Sequence, residues 1–519
     1  MSVLLNDIHS ALNPTRMARV AEVDGPADVM REVERARVEG TPVIAAGGRH
    51  AMGGQQFLDG GVLIDTRPLR AVRSFDRSAG TIEVEAGIQW PDLVGFLTSA
   101  QDPDDPERWT IVQKQSGADR FSLGGTVSAN GHGRGLTLAP IVADVEAMMV
   151  VDADGRLRAV DRTTDPELFS LVGGGYGLFG VIATVTLRLE RAQVLERVVE
   201  IRSVEGLAEA FAGRIAAGFV FGDFQFSIDD GSEGFLREGV FSCYRPVDSA
   251  TRIPEGQCTL SREDWGRLLL LAHTDRAAAY RAYTEHYAAT SGQLYRSDTL
   301  QMADYDDGYH SSIDAALGAE HPSTEMISEL YVPRERLADF MADAAAGLRE
   351  AGVPLIYGTV RLIERDTDTV LAWAREPWAC VIVNLCTEHT PEGIDRSASA
   401  FRSLIDAALA RGGSYFPTYH RWATIEQLLA AHRASPNSSR RSGGTIPTAS
   451  SRATGIATTP PCSTAPRLAP AGARRCRRAR RTAPSRRPCR RGSRRGSSDP
   501  PPGRGAPSQR PSARPGQRR

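Results

Sequence analysis

Residues 41–55 read TPVIAAGGRHAMGGQ. A β-type run, TPVIAA, passes straight into a turn holding Gly47, Gly48, Gly53 and Gly54. Lacking Cβ atoms, such a turn lets backbone N–H groups close on an anion such as a pyrophosphate, although a plain flexible loop has the same composition. Two more glycine-dense stretches follow. Residues 116–135 read SGADRFSLGGTVSANGHGRG, in which Gly124, Gly125, Gly131, Gly133 and Gly135 alternate with the small Thr126, Ser128, Ala129 and Asn130. Side chains this small suggest backbone packed closely on a flat or phosphate-bearing ligand. Residues 173–182 read GGGYGLFGVI, with G-x-G-x-x-G at Gly175, Gly177 and Gly180. A doubly wound dinucleotide fold would place a helix after that motif, whereas here the strand-like run VIATVTLRL follows.

Outward from these turns, Thr41–Ala46, Gly61–Asp65, Thr81–Glu85, Ala147–Asp152 and Val181–Leu189 read as strands. Ala27–Glu39, after the turn Asp24–Pro26, and Trp90–Ser99 read as helices. A second region, from about Ala192 to Tyr419, has strand patterns at Phe219–Ile228, Met326–Val332, Leu355–Ile363 and Cys380–Cys386. Helices are expected there at Trp265–Ala289, Arg334–Ala351 and Ser397–Arg411. The pattern is α+β and rich in glycine loops, not a regular βαβ alternation.

The length of 519 residues allows two or three domains and a large core. Charge is uneven. Ser435–Arg519 holds 21 arginines and one acid, a net +20, so the preceding 434 residues carry a net −21. An acidic body argues against a nucleic-acid or anionic-membrane partner. Lys114 is the single lysine against 61 arginines, which reads as GC-rich codon usage. No run of 18 apolar residues predicts a membrane span, and MSVLLNDIHSALNPTR lacks the pattern of a secretory signal. Cys243, Cys258, Cys380 and Cys386 fit neither a zinc site nor a disulfide framework, so a reducing cytoplasm is the expected compartment. No metal site is expected.

The segment after Asn437 has no Phe, Tyr, Trp or Val and should be disordered. A basic nucleic-acid arm is one reading; a shifted reading frame is the preferred one. Back-translated and read one base earlier, Thr445–Thr459 can yield Tyr-Asp-Pro-Asp-Gly-Val-Phe-Ala-Ser-Asp-Trp-Tyr-Arg-His-His, a peptide typical of folded protein. An insertion or deletion is expected near codons 436–444.

The three glycine elements, in this order and about 65 and 50 residues apart, resemble the FAD-binding domain of the vanillyl-alcohol oxidase family, also called the PCMH-type or FAD-linked oxidase family. The resemblance covers roughly residues 15–192. It implies an FAD-binding domain over 1–191, a substrate domain with an antiparallel sheet over 192–437, and a disordered tail over 438–519. It implies a pyrophosphate site at Gly47, Gly48, Arg49, His50, Ala51, Gly53, Gly54 and Gln55. It places Ser116, Gly117, Ala118, Ser122, Gly124, Gly125, Thr126 and Ser128 along the phosphates and flavin, and Val181 and Ile182 near the adenine end. His50 matches the histidine that some members join covalently to the flavin, although Gly47-Gly48-Arg49-His50-Ala51 departs from the family's G-x-G-H-S; a non-bonded loop histidine is the alternative.

The stretch Asn130-Gly131-His132-Gly133 resembles the His-Gly step of aldonolactone and alditol oxidases and of the decaprenylphosphoryl-ribose oxidase, which act on sugars, polyols or their lactones. That resemblance adds His132 and Gly133 to the cofactor site. The expected activity is oxidation of a CH–OH group by hydride transfer to flavin, with O2 or a quinone or carrier as electron acceptor. Such chemistry needs a base for the hydroxyl proton. Glu329 in SELYVP, Arg361 in GTVRLIE and His420 in YHRW are the candidates, with His420 as base and Arg361 polarising the hydroxyl. Thr359 stands where the related motif has a glutamate. Glu329 and Arg361 could instead form a structural ion pair, His420 could be a satisfied core histidine, and Tyr415, Phe416, Tyr419 and Trp422 could be core or a sugar platform. A C=C reductase and a silent FAD-binding protein are the competing functions.

Overall fold

The computed structural model describes residues 2–102, 105–303 and 308–432, all within one compact unit, Met1–Thr459. The basic segment and the frame-shift reading lie outside the described residues.

The N-terminal half builds two main sheets beside a two-stranded pair of Val3–Leu5 and Thr15–Met17. Arg19–Glu22, Val62–Asp65 and Val43–Ala46 form a parallel sheet in that spatial order. Its crossover is the helix Pro26–Glu39, which starts with Pro at its first position, where the missing N–H costs nothing. It ends on Gly40 in the left-handed region (φ 66°), and buries Val29, Val33 and Ala36 along one stripe. A six-stranded antiparallel sheet follows, in the order Leu157–Asp161, Val145–Val151, Val181–Arg191, Thr81–Glu85 and Val72–Asp76, with Trp109–Ile111 pairing the far end of Val181–Arg191. The expected fold class, α+β without a doubly wound sheet, is what the structure has.

The second half is one antiparallel sheet of eight strands, ordered Leu294–Arg296, Val194–Ser203, Glu238–Val247, Phe221–Phe226, Leu355–Ile363, Trp378–Glu388, Ser323–Pro333 and Ser414–Tyr415. The change from one large sheet to the next falls at residues 192–193. One face carries helices Leu337–Ala351 and Pro391–Leu409, which share a core with Phe224, Leu330, Val360 and Val381. Pro391–Leu409 forms where it does because Thr390 caps the Gly393 N–H, and Ala398, Phe401, Leu404, Ile405 and Ala408 recur at helical spacing. Each large apolar side chain buried there contributes about 1.5–3 kcal/mol. The opposite face looks toward the N-terminal half and carries a smaller aromatic cluster around Tyr331, Trp373 and Phe416.

One expected helix is two. Trp265–Ala289 is Arg262–Thr274 and Arg276–Ala289, broken at Asp275, whose φ of −150° leaves the helical region and whose side chain caps Ala278. The long strands Val194–Ser203 and Glu238–Val247 have no counterpart among the expected elements. Leu123–Ala129, inside a stretch read as a glycine loop, is a short helix. Among the described residues, no helix is long and apolar enough to cross a membrane.

Candidate functional site

The three glycine elements converge on one elongated cavity of about 1230 Å³, counting its solvent-open mouth. Gly47, Gly48, Arg49, His50, Ala51 and Gln55 line it from the first turn. Ser116, Ser122, Gly124, Gly125, Thr126 and Ser128 line it from the second, joined by His132 and Ile182. The glycines first make room for neighbouring protein segments. A Cβ on Gly47 would lie 1.9 Å from Ser122 Oγ, and one on Gly124 would lie 2.7 Å from Ala86 Cβ. The third element docks on the short helix of the second, through Gly174 N–H to the Val127 carbonyl and Tyr176 N–H to that of Ser128.

Six of the expected cofactor residues do not line this cavity. Gly53 and Gly54 hold the chain instead: Gly53 N–H donates to the Thr418 carbonyl, and Gly54 takes a φ of 72° beside Asn13. Gly117 is a turn residue at φ 100°, and Ala118 is buried. Gly133 packs so tightly that a Cβ would lie 2.7 Å from the Lys114 carbonyl. Val181 faces the small core under helix Pro26–Glu39. Residues with no strong local signature join the lining, among them Thr66, Gln115, Phe121, Tyr176 and Thr418.

The donor set fits FAD. Arg49 sits in the left-handed region (φ 58°), a strained setting for a residue with a Cβ. Its Nε is buried without a hydrogen-bond partner beside the glycine turn. Gln55 and Gln56 each bury an unpartnered Oε1 at the same end. An anion with neighbouring hydroxyls would satisfy all three. His50 is engaged on both sides: Nε2 lies 2.9 Å from the Arg120 carbonyl and Nδ1 lies 2.7 Å from His9 Nε2. A carbonyl only accepts, so His50 Nε2 carries the proton and Nδ1 accepts from His9. Burial pushes the His50 ring down to about 4.

At the other end of the cavity stands Glu329, at the centre of strand Ser323–Pro333 and 2% exposed. Its Oε2 lies 2.9 Å from His132 Nε2 and accepts the Tyr331 hydroxyl at 2.8 Å; its Oε1 accepts the Tyr419 hydroxyl at 2.8 Å. His132 Nδ1 lies 3.0 Å from the Gly133 carbonyl, so Nδ1 carries a proton. One more proton must then sit between Nε2 and the carboxyl. Two phenols also donate to that carboxyl, which favours its ionised form. Burial alone would push the Glu329 carboxyl up; the charge and hydrogen bond of His132, with the two tyrosines, outweigh it and hold the group below the usual carboxylate range. Cys380 Sγ lies 3.8 Å from Glu329 Oε2, and burial pushes its thiol up. Glu329, His132 and Cys380 together have the donor types of a metal site, but the shared proton already satisfies the first two.

Glu329 and Arg361 do not form the ion pair that their strands suggested. Arg361 lies across from Cys380 on the same sheet face, buried, with no salt bridge among the described residues and its Nε unpartnered. His420 is a correction. Its Nε2 donates to Ser328 Oγ at 3.1 Å, its Nδ1 accepts from Trp422 N–H, and its ring stacks on Phe401 at 4.7 Å. Ser328 and Glu329 point to opposite faces of one strand, so His420 belongs to the helix-covered core, and burial depresses it to about 3. The aromatic group divides likewise. Tyr415 and Trp422 pack in that core, while Phe416 and Tyr419 line the cavity.

A family signature described as an FAD binding domain matches residues 17–161. Over these residues the chain carries an FAD-binding domain. FAD is its cofactor, and the chain is also similar over part of its length to curated relatives. An uncharacterized oxidoreductase, ORF5 in the fasciation locus of Rhodococcoides fascians, is 30% identical over 171 residues, 32% of this chain and 36% of that protein. Cytokinin dehydrogenase 2 of Arabidopsis thaliana is 30% identical over 152 residues, 29% of this chain and 28% of the relative. The mitochondrial L-galactono-1,4-lactone dehydrogenase 2 of Oryza sativa subsp. japonica is 34% identical over 127 residues, 24% and 20%. The chain thus matches about a third or less of the length of these relatives.

Proposed function

We propose that this protein is an FAD-dependent oxidoreductase that oxidises a CH–OH group of a sugar, polyol or lactone-like substrate. The observation that carries the reading is the Glu329 carboxylate, held by three donors at the wall of the FAD cavity. Bound FAD supplies the hydride acceptor. Glu329 Oε1 accepts only the Tyr419 hydroxyl, which leaves it a lone pair for the substrate's hydroxyl proton. The hydrogen bonds of His132, Tyr331 and Tyr419 keep that oxygen pair ionised until the proton arrives. Arg361, on the same face with no carboxylate of its own, supplies positive charge to the alkoxide that develops. Glu329 therefore replaces His420 as the base.

The reading extends to cofactor linkage, acceptor and compartment. With both nitrogens of His50 occupied, FAD is held without a covalent bond. The electron acceptor is O2 or a quinone or carrier. Free cysteines, two of them buried, fit a reducing cytoplasm.

The test is anaerobic mixing of the FAD-loaded protein with L-galactono-1,4-lactone and with polyols, followed by loss of the oxidised-flavin band. Bleaching by at least one of them is expected. A flavin that NAD(P)H reduces and no alcohol does would move the protein to C=C reduction.

A further inference from the structure

Beyond Glu329, the cavity-side face of the eight-stranded sheet is polar over four strands. Glu329 pairs with Ile382, and Ile382 with Thr359. Phe224 pairs with Val360, so antiparallel counting brings Gln225 opposite Thr359. Two residues along from Ile382, Asn384 pairs with both Ile327 and Tyr357. Gln225 Nε2 donates to the Tyr357 hydroxyl at 3.3 Å, which confirms that these side chains share a face.

Among the described residues, the buried polar atoms without a partner on this face include Gln225 Oε1, Asn384 Oδ1 and Arg361 Nε. Two are acceptors and one is a donor. Leaving such atoms dry is costly, and native proteins rarely do so without a ligand or water to fill the gap. Gln225 and Asn384 are each half-buried as residues, although their unpartnered oxygens are covered. Hydroxyl groups alone can serve all three, because a hydroxyl donates to the two amide oxygens and accepts from the guanidinium. A carboxylate would suit Arg361 but face repulsion from both amide oxygens.

We propose that Gln225, Asn384 and Arg361 form a specificity subsite that reads hydroxyl groups on carbons beyond the one oxidised, so that the substrate is a polyhydroxylated chain or ring. This rests on the function proposed above and deepens it. Glu329 and Gln225 stand three strands apart, roughly 14 Å at about 4.8 Å per strand. Side chains stand roughly perpendicular to a sheet, so a chain of several hydroxylated carbons, with a hydrogen bond at each end, spans the distance between these two and glycerol does not.

The test uses the FAD-loaded protein and a series of probes of rising length: glycerol, erythritol, xylitol and sorbitol. Anaerobic flavin reduction gives an efficiency for each. The efficiency is expected to climb along the series, by about five- to tenfold for each hydroxyl that finds a partner. In Gln225→Leu and Asn384→Leu, the ratio of sorbitol to glycerol efficiency is expected to fall by a similar factor. A flat series in the unaltered protein overturns the subsite without any variant having to fold. So does a ratio that Gln225→Leu and Asn384→Leu leave unchanged while retaining FAD. If neither the series nor L-galactono-1,4-lactone reduces the flavin, the proposed function fails and the subsite falls with it.

Discussion

Glu329→Gln isolates the base from the scaffold around it. The amide keeps the shape of the side chain and one oxygen. That oxygen can still accept the Tyr419 hydroxyl, now made through Oε1 at 2.8 Å. The amide NH2 then faces His132 Nε2, at the place of an oxygen 2.9 Å away. His132 can meet it as a neutral ring, because the Gly133 carbonyl already fixes the proton on Nδ1 and leaves Nε2 free to accept. The groups that lose are Tyr331 and, more weakly, the Cys380 thiol, which both donate to the oxygen that becomes NH2. A buried hydroxyl left unpaired costs about 1–3 kcal/mol, so the variant should fold with a modestly lower melting temperature and bind FAD normally. Its chemistry should fall much further. General bases contribute about 10²–10⁴-fold, and the rate of anaerobic flavin reduction should drop by that factor at saturating substrate. The measurement is stopped-flow reduction of the FAD-loaded variant. A rate within tenfold of the unaltered protein, with FAD retained, would refute the assignment of Glu329 as base.

The pH dependence follows from the same carboxyl. Its pKa is depressed, so the proton-accepting form persists into mildly acidic solution and is lost as pH falls through that lowered value; a reduction rate that already collapses between pH 7 and pH 6 contradicts the His132–Glu329 pairing. Gly48→Ala would set a Cβ 2.6 Å from the His50 ring and 2.7 Å from the Arg120 carbonyl. Overpacking of this kind costs about 1–3 kcal/mol, and because it pries open the turn around the cavity, FAD retention on gel filtration should fall sharply. Acid precipitation should release all flavin into the supernatant, since His50 has no free lone pair; yellow colour that stays with the pellet would show a covalent bond.

Much of this was legible where local chemistry repeats itself. The three glycine turns announced the cofactor cavity, and Thr81–Glu85, Trp90–Ser99 and Leu355–Ile363 have the bounds their periodicity suggested. What local pattern could not show is which face a residue takes once strands pair. His420 looked like a base because its YHRW stretch resembles one where relatives hold a Lys or His near the substrate, yet it is the adjacent Tyr419 that enters the cavity. Glu329 and Tyr331, two apart in one strand, could have been read as sharing a face. Their partner His132, 197 residues away, could not. Gly53, Gly54, Gly133 and Val181 were over-read for a related reason: glycine and small residues serve close backbone packing as readily as ligand binding. The break at Asp275 was missed because apolar periodicity continues through it, and only the capping hydrogen bond marks the stop.

The grip of the first glycine turn on residues 417 and 418 sets the order in which the holoprotein can be made. Gln55 Nε2 reaches the Pro417 carbonyl across 362 residues of chain. At about 5–20 residues per second, a ribosome needs roughly 20–70 s to deliver the second half of that clasp after the first. Throughout that interval the nascent nucleotide cleft stands without Thr418 and Tyr419 along its wall. FAD capture is therefore a late event in biogenesis, and a polypeptide cut short before Tyr419 would leave the ribosome able to form its glycine turns but unable to shut them.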